Sequence, residues 1–344
     1  MLDGDRRRWM GTGAYRLTLA TNAESIYKET ARKRMGPTAL FRSGLRAGGF
    51  SLMLSDIGRA KVNLTLRVVG RRVDGYHDLE SVVAFADCAD RLTLVPGADL
   101  KLDITGPLAN ACGETADNLV LKAAALLAAR VPELKLGAFN LEKVLPVAAG
   151  IGGGSADAAA ALRLLARLNN LSLDDKRLAE VALQTGADVP VCLLSHACDM
   201  TGVGESLLPL ELPELPCVMV NPRVPIPTRN VFSELGLRSG ELLVGITDVI
   251  ESPAWPEAGA SVADWVEALS YIGNDLETPA MRIQPAISDV LSALHGSEGA
   301  LLARMSGSGA TCFAIYGDRA KAQAAADRIR QAHGDWWIHS GVLS

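Results

Sequence analysis

The sequence predicts a two-domain protein of the α+β class. With 344 residues the chain is long enough for about two domains of 100–200 residues each. Short stretches with strand-like alternation are interspersed with longer runs whose apolar residues recur at helical spacing. Six prolines between residues 209 and 227 mark a change in composition. We therefore predict an N-terminal domain at 54–210 and a C-terminal domain at 211–344.

The composition is that of a folded protein and argues against several partner classes. Hydrophobic residues make up 49% of the chain and charged residues 21%. The net charge is −5, whereas general nucleic-acid binders usually have a basic excess, so we expect no nucleic-acid partner. No apolar run approaches the roughly 20 residues that span a bilayer, so we expect no membrane partner. Six cysteines without a C-x-x-C pair indicate reduced thiols, as in a cytoplasmic protein.

Residues 1–53 are expected to form a separate basic leader. The first 50 residues hold ten Lys and Arg against four Asp and Glu, so they carry +6 and the remainder −11. The leader has no apolar core, which excludes a secretory signal. A disordered arm, a start codon assigned too early and an organelle transit peptide all agree with this composition. The last would make a plastid location conceivable.

The first domain is predicted to combine short strands with three helices. One helix is rich in Ala and Leu and ends before Pro132, and another follows a glycine cluster and has one apolar face. The third is stopped by Gly186. Strands are expected at 60–66, 79–86, 91–95, 100–104 and 139–144, and helices at 118–130, 156–168 and 174–185.

The second domain shows a similar mixture after the proline-rich segment and a loop at 255–259. Two apolar runs flank a turn rich in glycine and serine, which predicts a pair of strands. Helices are expected at 262–271, 280–294 and 319–333, and strands at 301–305, 311–316 and 336–342.

A glycine-rich run at 146–157 is the strongest sign of a binding site. Four glycines in five positions, 150 and 152–154, allow the backbone to approach a ligand, and Ser155 is expected to cap the helix that follows. Loop amides and a helix N-terminus together form an anion site suited to a triphosphate. The alternative is a flexible turn between strand and helix.

Two further turns are candidates for ligand contacts. The turn between strands at 301–305 and 311–316 has five small residues, more than an ordinary hairpin needs, so it is either a long hairpin or a second ligand loop. The Asp-Gly turn at Asp74 presents Tyr76 and His77 side by side. A surface hairpin with a solvated histidine would have the same sequence.

Lys61 and Asp188 are the candidate catalytic pair. Lys61 and Asn63 lie on one face of a predicted strand that is otherwise apolar, and this face points either to a site or to solvent. Asp188 follows Gly186 and is either a turn former or a base. If they converge on the phosphate site, they supply the proton acceptor and positive charge that phosphoryl transfer requires.

These motifs occur in the same order in the GHMP small-molecule kinases, and the chain from about residue 54 to 342 resembles that superfamily. The D-G-Y-H turn with G-A-D-V-P and N-D-L-E is similar to the branch that acts on a cytidylyl-linked polyol. The matching segments are Ala60–Leu64, Asp74–His77, Pro146–Asp157, Gly186–Pro190, Asn274–Glu277 and Ser306–Gly309.

The resemblance implies a fold and a reaction. The N-terminal domain would resemble domain 2 of ribosomal protein S5, the C-terminal domain would be ferredoxin-like, and the site would lie between them. ATP with Mg²⁺ would phosphorylate the 2-hydroxyl of 4-diphosphocytidyl-2-C-methyl-D-erythritol, a step in non-mevalonate isoprenoid precursor synthesis. The partner is thus a small molecule, and the protein is a monomer or a homodimer.

The resemblance also implies residue roles. Asp188 would be the general base, and Lys61 would stabilise it and the developing negative charge. The substrate would contact Asn63, Tyr76, His77, Thr228 and Phe232. ATP would contact Pro146, Val147, Ala148, Ala149, Gly150, Ile151, Gly152, Gly153, Gly154, Ser155, Ala156, Ser306, Gly307, Ser308 and Gly309. Ser155 would lie near Mg²⁺, for which no carboxylate ligand is indicated.

Two other functions stay open at this stage. Another GHMP kinase, acting on mevalonate, homoserine or a sugar, would have no use for Tyr76 and His77. A non-catalytic nucleotide-binding regulator would be expected to lack the base, whereas Asp188 and Lys61 are both present. The panel of acceptors described below discriminates between these possibilities.

Overall fold

The structure is a computed structural model that describes residues 53–243 and 255–344, all within one compact unit, Arg42–Ser344. The predicted leader lies outside these residues except for Met53, so its nature stays a prediction. No helix within the described ranges is long and apolar enough to cross a membrane.

The described residues form a mixed structure in which one extended sheet is covered by helices. The strands are β1 (Leu54–Asn63), β2 (Arg67–Arg71), β3 (His77–Gly97), β4 (Lys101–Thr105), β5 (Leu136–Glu142), β6 (Cys198–Gly202), β7 (Ser206–Pro209), β8 (Leu215–Asn221), β9 (Ala300–Met305), β10 (Cys312–Tyr316) and β11 (Trp337–Leu343). The helices are α1 (Leu119–Ala128), α2 (Gly153–Leu168), α3 (Lys176–Thr185), α4 (Val189–Leu194), α5 (Thr228–Glu234), α6 (Val262–Ser270), α7 (Glu277–Ile283), α8 (Ala286–His295) and α9 (Arg319–Ala332). The predicted α+β class is confirmed.

The sheet has two parts that meet at a narrow junction. Its main path runs β4-β5-β3-β11-β8-β10-β9, and β1, β2 and β6 also pair with β3. Only β4 and β5 are parallel among these described pairs. Between β3 and β11 the paired register contains a single Cα pair, Ala86 and Leu343. The two parts agree with a two-domain organisation, and the boundary after residue 210 stays a prediction.

Three apolar clusters stabilise this arrangement. One lies under α1 to α4 in the N-terminal part, and a second lies under α7 to α9 in the C-terminal part. A third brings Val62 and Leu64 of β1 together with Phe313 of β10 and Trp265 of α6, all fully buried. Burial of large apolar side chains contributes about 1.5–3 kcal/mol each. The third cluster therefore fixes β1, which carries the candidate catalytic lysine, against the C-terminal part.

Three differences from the predicted elements have local causes. The predicted strands 79–86 and 91–95 are one strand, β3, because its charged middle stays paired with β1. The predicted helix 280–294 is two helices, because Gln284, which precedes Pro285, is extended. The proline-rich segment contains β8, a strand that is buried along its length. Its Pro216 lies just before Cys217, the first residue of β8 that pairs with β10.

Candidate active site

Lys61, Asn63 and Asp188 meet at one point of the structure. Lys61 Nζ donates to Asn63 Oδ1 at 2.9 Å and lies 3.2 Å from Asp188 Oδ1. Lys61 is 4% exposed and Asn63 1%, so their face of β1 is not a solvent face, and that alternative is wrong. The Asp188 side chain is 39% exposed. A buried ammonium therefore holds a carboxylate that is still open to a ligand.

Gly186 and the start of α4 determine where Asp188 lies. The helix α3 ends at Gly186, whose backbone is extended there. Asp188 then precedes α4, which has a proline in its first turn. Proline at that position is favourable because its missing N–H has no acceptor within the helix. The short turn between two helices thus brings a residue 127 positions from Lys61 to its ammonium group.

Asn63 is held by polar groups on three sides. Its Nδ2 donates to Ser81 Oγ at 2.8 Å, and Ser81 Oγ donates to the backbone oxygen of Thr65 at 2.5 Å. Its backbone N–H donates to Ser306 Oγ at 3.1 Å. These bonds fix which way the Asn63 amide points. Ser81 was not predicted from the sequence, because a lone serine in an apolar strand has no distinctive signal.

The glycine-rich loop ends in a helix N-terminus, as predicted, but one detail of the prediction is wrong. Ser155 does not cap the helix, because Gly152 takes a left-handed conformation with φ 62° and α2 begins at Gly153. Ser155 therefore lies in the first turn. Ala148 and Gly150 also have positive φ, 51° and 75°. The first amides of α2 have no acceptor within the helix and are available to an anion.

This loop lies directly against the candidate catalytic lysine. The Lys61 backbone N–H donates to the backbone oxygen of Ile151 at 2.9 Å. A Cβ atom on Gly152 would lie 3.2 Å from Lys61 Cε. The absence of a side chain at Gly152 thus lets the loop and the lysine approach each other. A phosphate at the α2 N-terminus would therefore be a neighbour of the Lys61–Asp188 pair.

The second small-residue loop, Ser306–Gly309, packs against the first loop and is not an ordinary hairpin turn. Ser306 Oγ donates to the backbone oxygen of Gly150 at 3.0 Å, and the Thr311 N–H donates to that of Ala149 at 3.1 Å. Ser308 Oγ lies 2.8 Å from Thr228 Oγ1. The loop is buried throughout. The two loops and the start of α5 therefore form one continuous surface.

His77 and Phe232 form the aromatic part of the site. Their rings stack with centroids 4.6 Å apart and an angle of 27° between the planes. The turn that delivers His77 has Gly75 at φ 91°, and Asp74 Oδ1 accepts from the Tyr76 N–H at 3.1 Å. Tyr76 is 61% exposed. The structure thus brings together two of the three predicted aromatic contacts and leaves Tyr76 at the surface beside them.

The surroundings of His77 favour a neutral imidazole. Burial lowers the pKa of His77, and the positive charge of Arg71 on the paired strand lowers it further. A neutral ring has one donor and one acceptor nitrogen, which suits the edge of a neutral base. Phe232 lies four residues after Thr228 in α5, so the two side chains share one face of the helix.

A buried cluster of charges under the glycine-rich loop was not predicted. Lys143 Nζ lies 2.5 Å from Asp90 Oδ2 and 2.7 Å from Asp157 Oδ2, and all three side chains are at most 4% exposed. Asp90 also accepts from two backbone amides, whereas Asp157 Oδ1 has no partner. Lys143 Nζ would lie 3.3 Å from a Cβ on Gly153. The cluster therefore supports the first turn of α2.

Asp157 is the member of this cluster whose charge is least well compensated. Burial, with a smaller contribution from Asp90, raises its pKa to about 7 against the opposing effect of Lys143. Burial also opposes the charged form of Lys143, but the two carboxylates outweigh it and raise the pKa of the ammonium. Asp157 is the one charged residue within the alanine run 156–161, and a charge at this position is the available signal in the sequence.

Asp157→Asn should change how stability depends on pH. Folded Asp157 keeps a proton that the unfolded chain releases near pH 4, so wild-type stability falls as the pH rises from about 4 to about 7. Asp157→Asn has no such proton to keep. Its free energy of unfolding relative to that of wild type should therefore rise by up to about 1.4 kcal/mol for each pH unit between about 4 and about 7. Urea unfolding at pH 5, 6, 7 and 8 measures the difference. The exposed Asp103→Asn is the control, and parallel curves for wild type and Asp157→Asn would contradict the assignment.

Comparisons with known proteins agree with this geometry. The family model of the GHMP kinases N terminal domain matches residues 118–196, and that of the GHMP kinases C terminal matches 258–335. The chain is 76% identical over 291 residues to a Bradyrhizobium diazoefficiens protein named 4-diphosphocytidyl-2-C-methyl-D-erythritol kinase, which covers 85% of this chain and 98% of that protein. A Rhodopseudomonas palustris protein of the same name is 66% identical over 296 residues, with 86% and 99% covered.

Solved structures show the same fold. A crystal structure of 4-(cytidine 5'-diphospho)-2C-methyl-D-erythritol kinase matches with a TM-score of 0.64 and 33% identity, covering 85% of this chain and 99% of that one. Homoserine kinase from Cytophaga hutchinsonii matches with a TM-score of 0.62 at 15% identity, covering 87% and 98%. The second likeness concerns the fold alone.

Proposed function

The chain belongs to the GHMP kinases, in the family of 4-diphosphocytidyl-2-C-methyl-D-erythritol kinases, and on that premise we propose which reaction its site performs. ATP phosphorylates the 2-hydroxyl of 4-diphosphocytidyl-2-C-methyl-D-erythritol, a step in non-mevalonate isoprenoid precursor synthesis, and ADP leaves. The single observation that carries the proposal is the contact of Lys61 with Asp188 next to the free amides of α2. This contact supports a proton acceptor and a positive charge beside a phosphate site, which is what phosphoryl transfer to an alcohol needs.

Asp188 takes the proton of the acceptor hydroxyl in this proposal. Its carboxylate is partly exposed, so a hydroxyl can reach it, and the Lys61 ammonium lies 3.2 Å away as its counter-ion. The Lys61 ammonium also stabilises negative charge that develops on the attacking oxygen. Asn63, fixed by Ser81 and bonded to Lys61, orients the ammonium and the reacting hydroxyl. The hydrogen bonds among these side chains hold each of them in one orientation, and the proposed roles follow from those orientations.

The nucleotide is assigned to the glycine-rich loop and the first turn of α2. Backbone amides at Gly153 and Gly154 point from the helix N-terminus, where the helix dipole favours negative charge. The positive φ values in the loop let it bend closely around phosphates. Residues 146–156 are therefore proposed as the ATP contacts.

Magnesium is proposed to arrive on the nucleotide. Among the described residues there is no group of three or more His, Cys, Asp or Glu side chains placed to hold a metal ion. Mg²⁺ is commonly bound through phosphate oxygens, water and one or two carboxylates rather than by an all-protein cage. The anion site at α2 fits that mode of binding, since it holds the phosphates that would carry the ion. When bound, Mg²⁺ neutralises charge on the phosphates.

The cytosine of the acceptor is assigned to the aromatic contacts. Phe232 and Tyr76 offer faces for stacking, and the neutral ring of His77 offers a donor and an acceptor. Thr228 lies on the same face of α5 as Phe232. A mevalonate, homoserine or sugar kinase would have no base to place there, and the relatives above favour the cytidylyl substrate.

Location and assembly are also part of the proposal. All six cysteines are free, and four of them are buried, which agrees with a reducing cytoplasm. The named relatives are bacterial, so a plastid location gains no support. A monomer or a homodimer is still expected, with a small-molecule partner and no nucleic acid.

The test is ADP release by the purified protein with ATP and Mg²⁺, measured separately with four acceptors. These are 4-diphosphocytidyl-2-C-methyl-D-erythritol, mevalonate, homoserine and galactose. We expect turnover with the cytidylyl compound alone. Turnover with another acceptor would contradict the pocket assignment, and bound ATP without turnover of any acceptor would favour the regulatory alternative.

Replacing His77 with alanine should weaken the cytidylyl substrate far more than ATP. Loss of the imidazole would leave a buried polar group of the base unpaired, which costs about 1–3 kcal/mol, so KM for the acceptor should rise about 5- to 150-fold while KM for ATP stays within about twofold. His333→Ala is the matched control, because His333 stacks on Trp336 at 3.7 Å at the end of α9. Equal effects on both substrates, or an effect of His333→Ala, would contradict the assignment.

A further inference from the structure

The loop Ser306–Gly309 contacts acceptor residues rather than the nucleotide amides. We propose that this loop belongs to the acceptor-binding half of the site and that Ser308 is an acceptor-binding residue. The resemblance to the GHMP kinases implies ATP contacts for this loop instead. The inference rests on the proposed function and specifies one part of it, namely which loop recognises which substrate.

The first support is the contact of the loop with Asn63. Ser306 Oγ accepts from the Asn63 backbone N–H at 3.1 Å. A Cβ on Gly307 would lie 2.8 Å from the Gly150 backbone oxygen and 3.3 Å from Asn63 Oδ1, the same oxygen that accepts from Lys61. The loop is therefore built against the residue proposed to orient the reacting hydroxyl.

The second support is the hydroxyl pair between Ser308 and Thr228. Their Oγ atoms are 2.8 Å apart, and Ser308 is 7% exposed. Each hydroxyl has one proton and two acceptor lone pairs, so the pair keeps one proton that can be donated to a ligand. Thr228 begins α5, one turn before Phe232. The loop thus reaches from the proposed cytosine contacts, through Ser308, to Asn63, through Ser306.

The third support is what the loop does with the glycine-rich segment. Ser306 donates to the backbone oxygen of Gly150, and Thr311, two residues after the loop, donates to that of Ala149. A phosphate needs donors, and the donors of that segment lie further on, at the first turn of α2. The hydrogen bonds between the two loops therefore determine the distance between the loops. They provide no donor to a phosphate of the nucleotide.

Asn274 and Glu277 hold this loop in place, which gives a role to the N-D-L-E segment. Asn274 Nδ2 donates to the backbone oxygens of Met305 and Gly307, both at 2.8 Å, and its Oδ1 accepts from the Leu276 N–H at 2.9 Å. Glu277 Oε2 accepts from the Met305 N–H at 2.8 Å. Asn274 is thus a positioning residue, because it acts on the acceptor only through the loop.

The experiment is a steady-state comparison of Ser308→Ala and Asn274→Asp with wild type, with each substrate varied in turn. Ser308→Ala should raise KM for the cytidylyl acceptor about tenfold, the effect of one lost hydrogen bond, with KM for ATP within about twofold. Asn274→Asp loses both donated bonds and should lower kcat/KM for the acceptor at least as much, again with KM for ATP unchanged. Ser292→Ala, exposed on α8, is the matched control.

Ser155→Ala supplies the opposite pattern, because Ser155 lies in the first turn of α2 and should affect KM for ATP alone. The inference is overturned if Ser308→Ala raises KM for ATP instead, or changes neither constant. If Ser308→Ala fails to fold, Thr228→Val is used in its place. It removes the same pair of hydroxyls from the other side and should raise KM for the acceptor in the same way. Wild type that turns over none of the acceptors would overturn the proposed function itself, whereas an active wild type with a normal Ser308→Ala overturns this inference alone.

Discussion

Asp188→Asn is expected to lower kcat by about 10²–10⁴-fold, the usual contribution of a general base. An amide has nearly the shape of the carboxylate, but its oxygen takes up the acceptor proton far less readily. Lys61 would still find an oxygen to bond at its present distance of 3.2 Å. The Asp188 side chain bonds to Lys61 and not to the amides at the start of α2, so ATP affinity should stay within about twofold.

Single-turnover rates and calorimetric binding of ATP separate these two effects. Asp174→Asn, an exposed carboxylate just before α3, is the matched control and should change neither value. A rate within tenfold of wild type would show that Asp188 is not the base. A large loss of ATP affinity would show that it serves the nucleotide.

Combining Asp188→Asn with Lys61→Met gives a second check of the same assignment. Residues that act as one unit are not additive, so the double variant should be about as slow as the slower single variant. Lys61→Met alone leaves Asn63 Oδ1 without its donor in a buried position, which also reduces stability. Additive losses in rate would mean that the two groups act in separate steps.

Local sequence patterns predicted the parts of the site that are contiguous in the chain. The alternation in β1 correctly places Lys61 and Asn63 on one face, and the glycine run correctly places a helix N-terminus after it. The same patterns could not tell whether that face is buried, because burial depends on which elements cover it. Here Asp188 and the 306–309 loop cover it, and only the order of motifs shared with GHMP kinases indicated their proximity.

The charge cluster under α2 shows a different limit of sequence reasoning. Asp90 and Lys143 are 53 positions apart, and each separately resembles an ordinary polar residue at a strand end. Only Asp157, inside an alanine-rich helix, lies where a charge is costly without a partner. A rule that requires a partner for every charge in an apolar helical stretch would have indicated the cluster, although not its members.

Gly150→Ala is expected to have the largest effect on stability among single substitutions in the loops. A Cβ there would lie 2.5 Å from the Ser306 backbone oxygen and 2.7 Å from that of Gly309. These are backbone atoms of the opposing loop, so neither can turn aside as a flexible side chain would. The residue also has φ 75°, which costs an alanine about 1–2 kcal/mol. Steric overlap adds about 1–3 kcal/mol, so the total loss of unfolding free energy should be about 2–5 kcal/mol.

Gly113→Ala separates the two causes of that loss. Gly113 has φ 68°, close to the value of Gly150, but a Cβ there would meet nothing within 4 Å. Gly113→Ala should therefore lower the free energy of unfolding only by the conformational cost of the positive φ, about 1–2 kcal/mol, and should keep full activity. The difference between the two variants in urea unfolding is the cost of separating the loops. Because Ser306 also bonds to Asn63, separation of the loops should displace Asn63 from Lys61 and lower kcat in Gly150→Ala even in the fraction that is folded. Equal stability losses in the two variants would mean that the loops yield freely, and the close contact between them would then have no part in holding the site together.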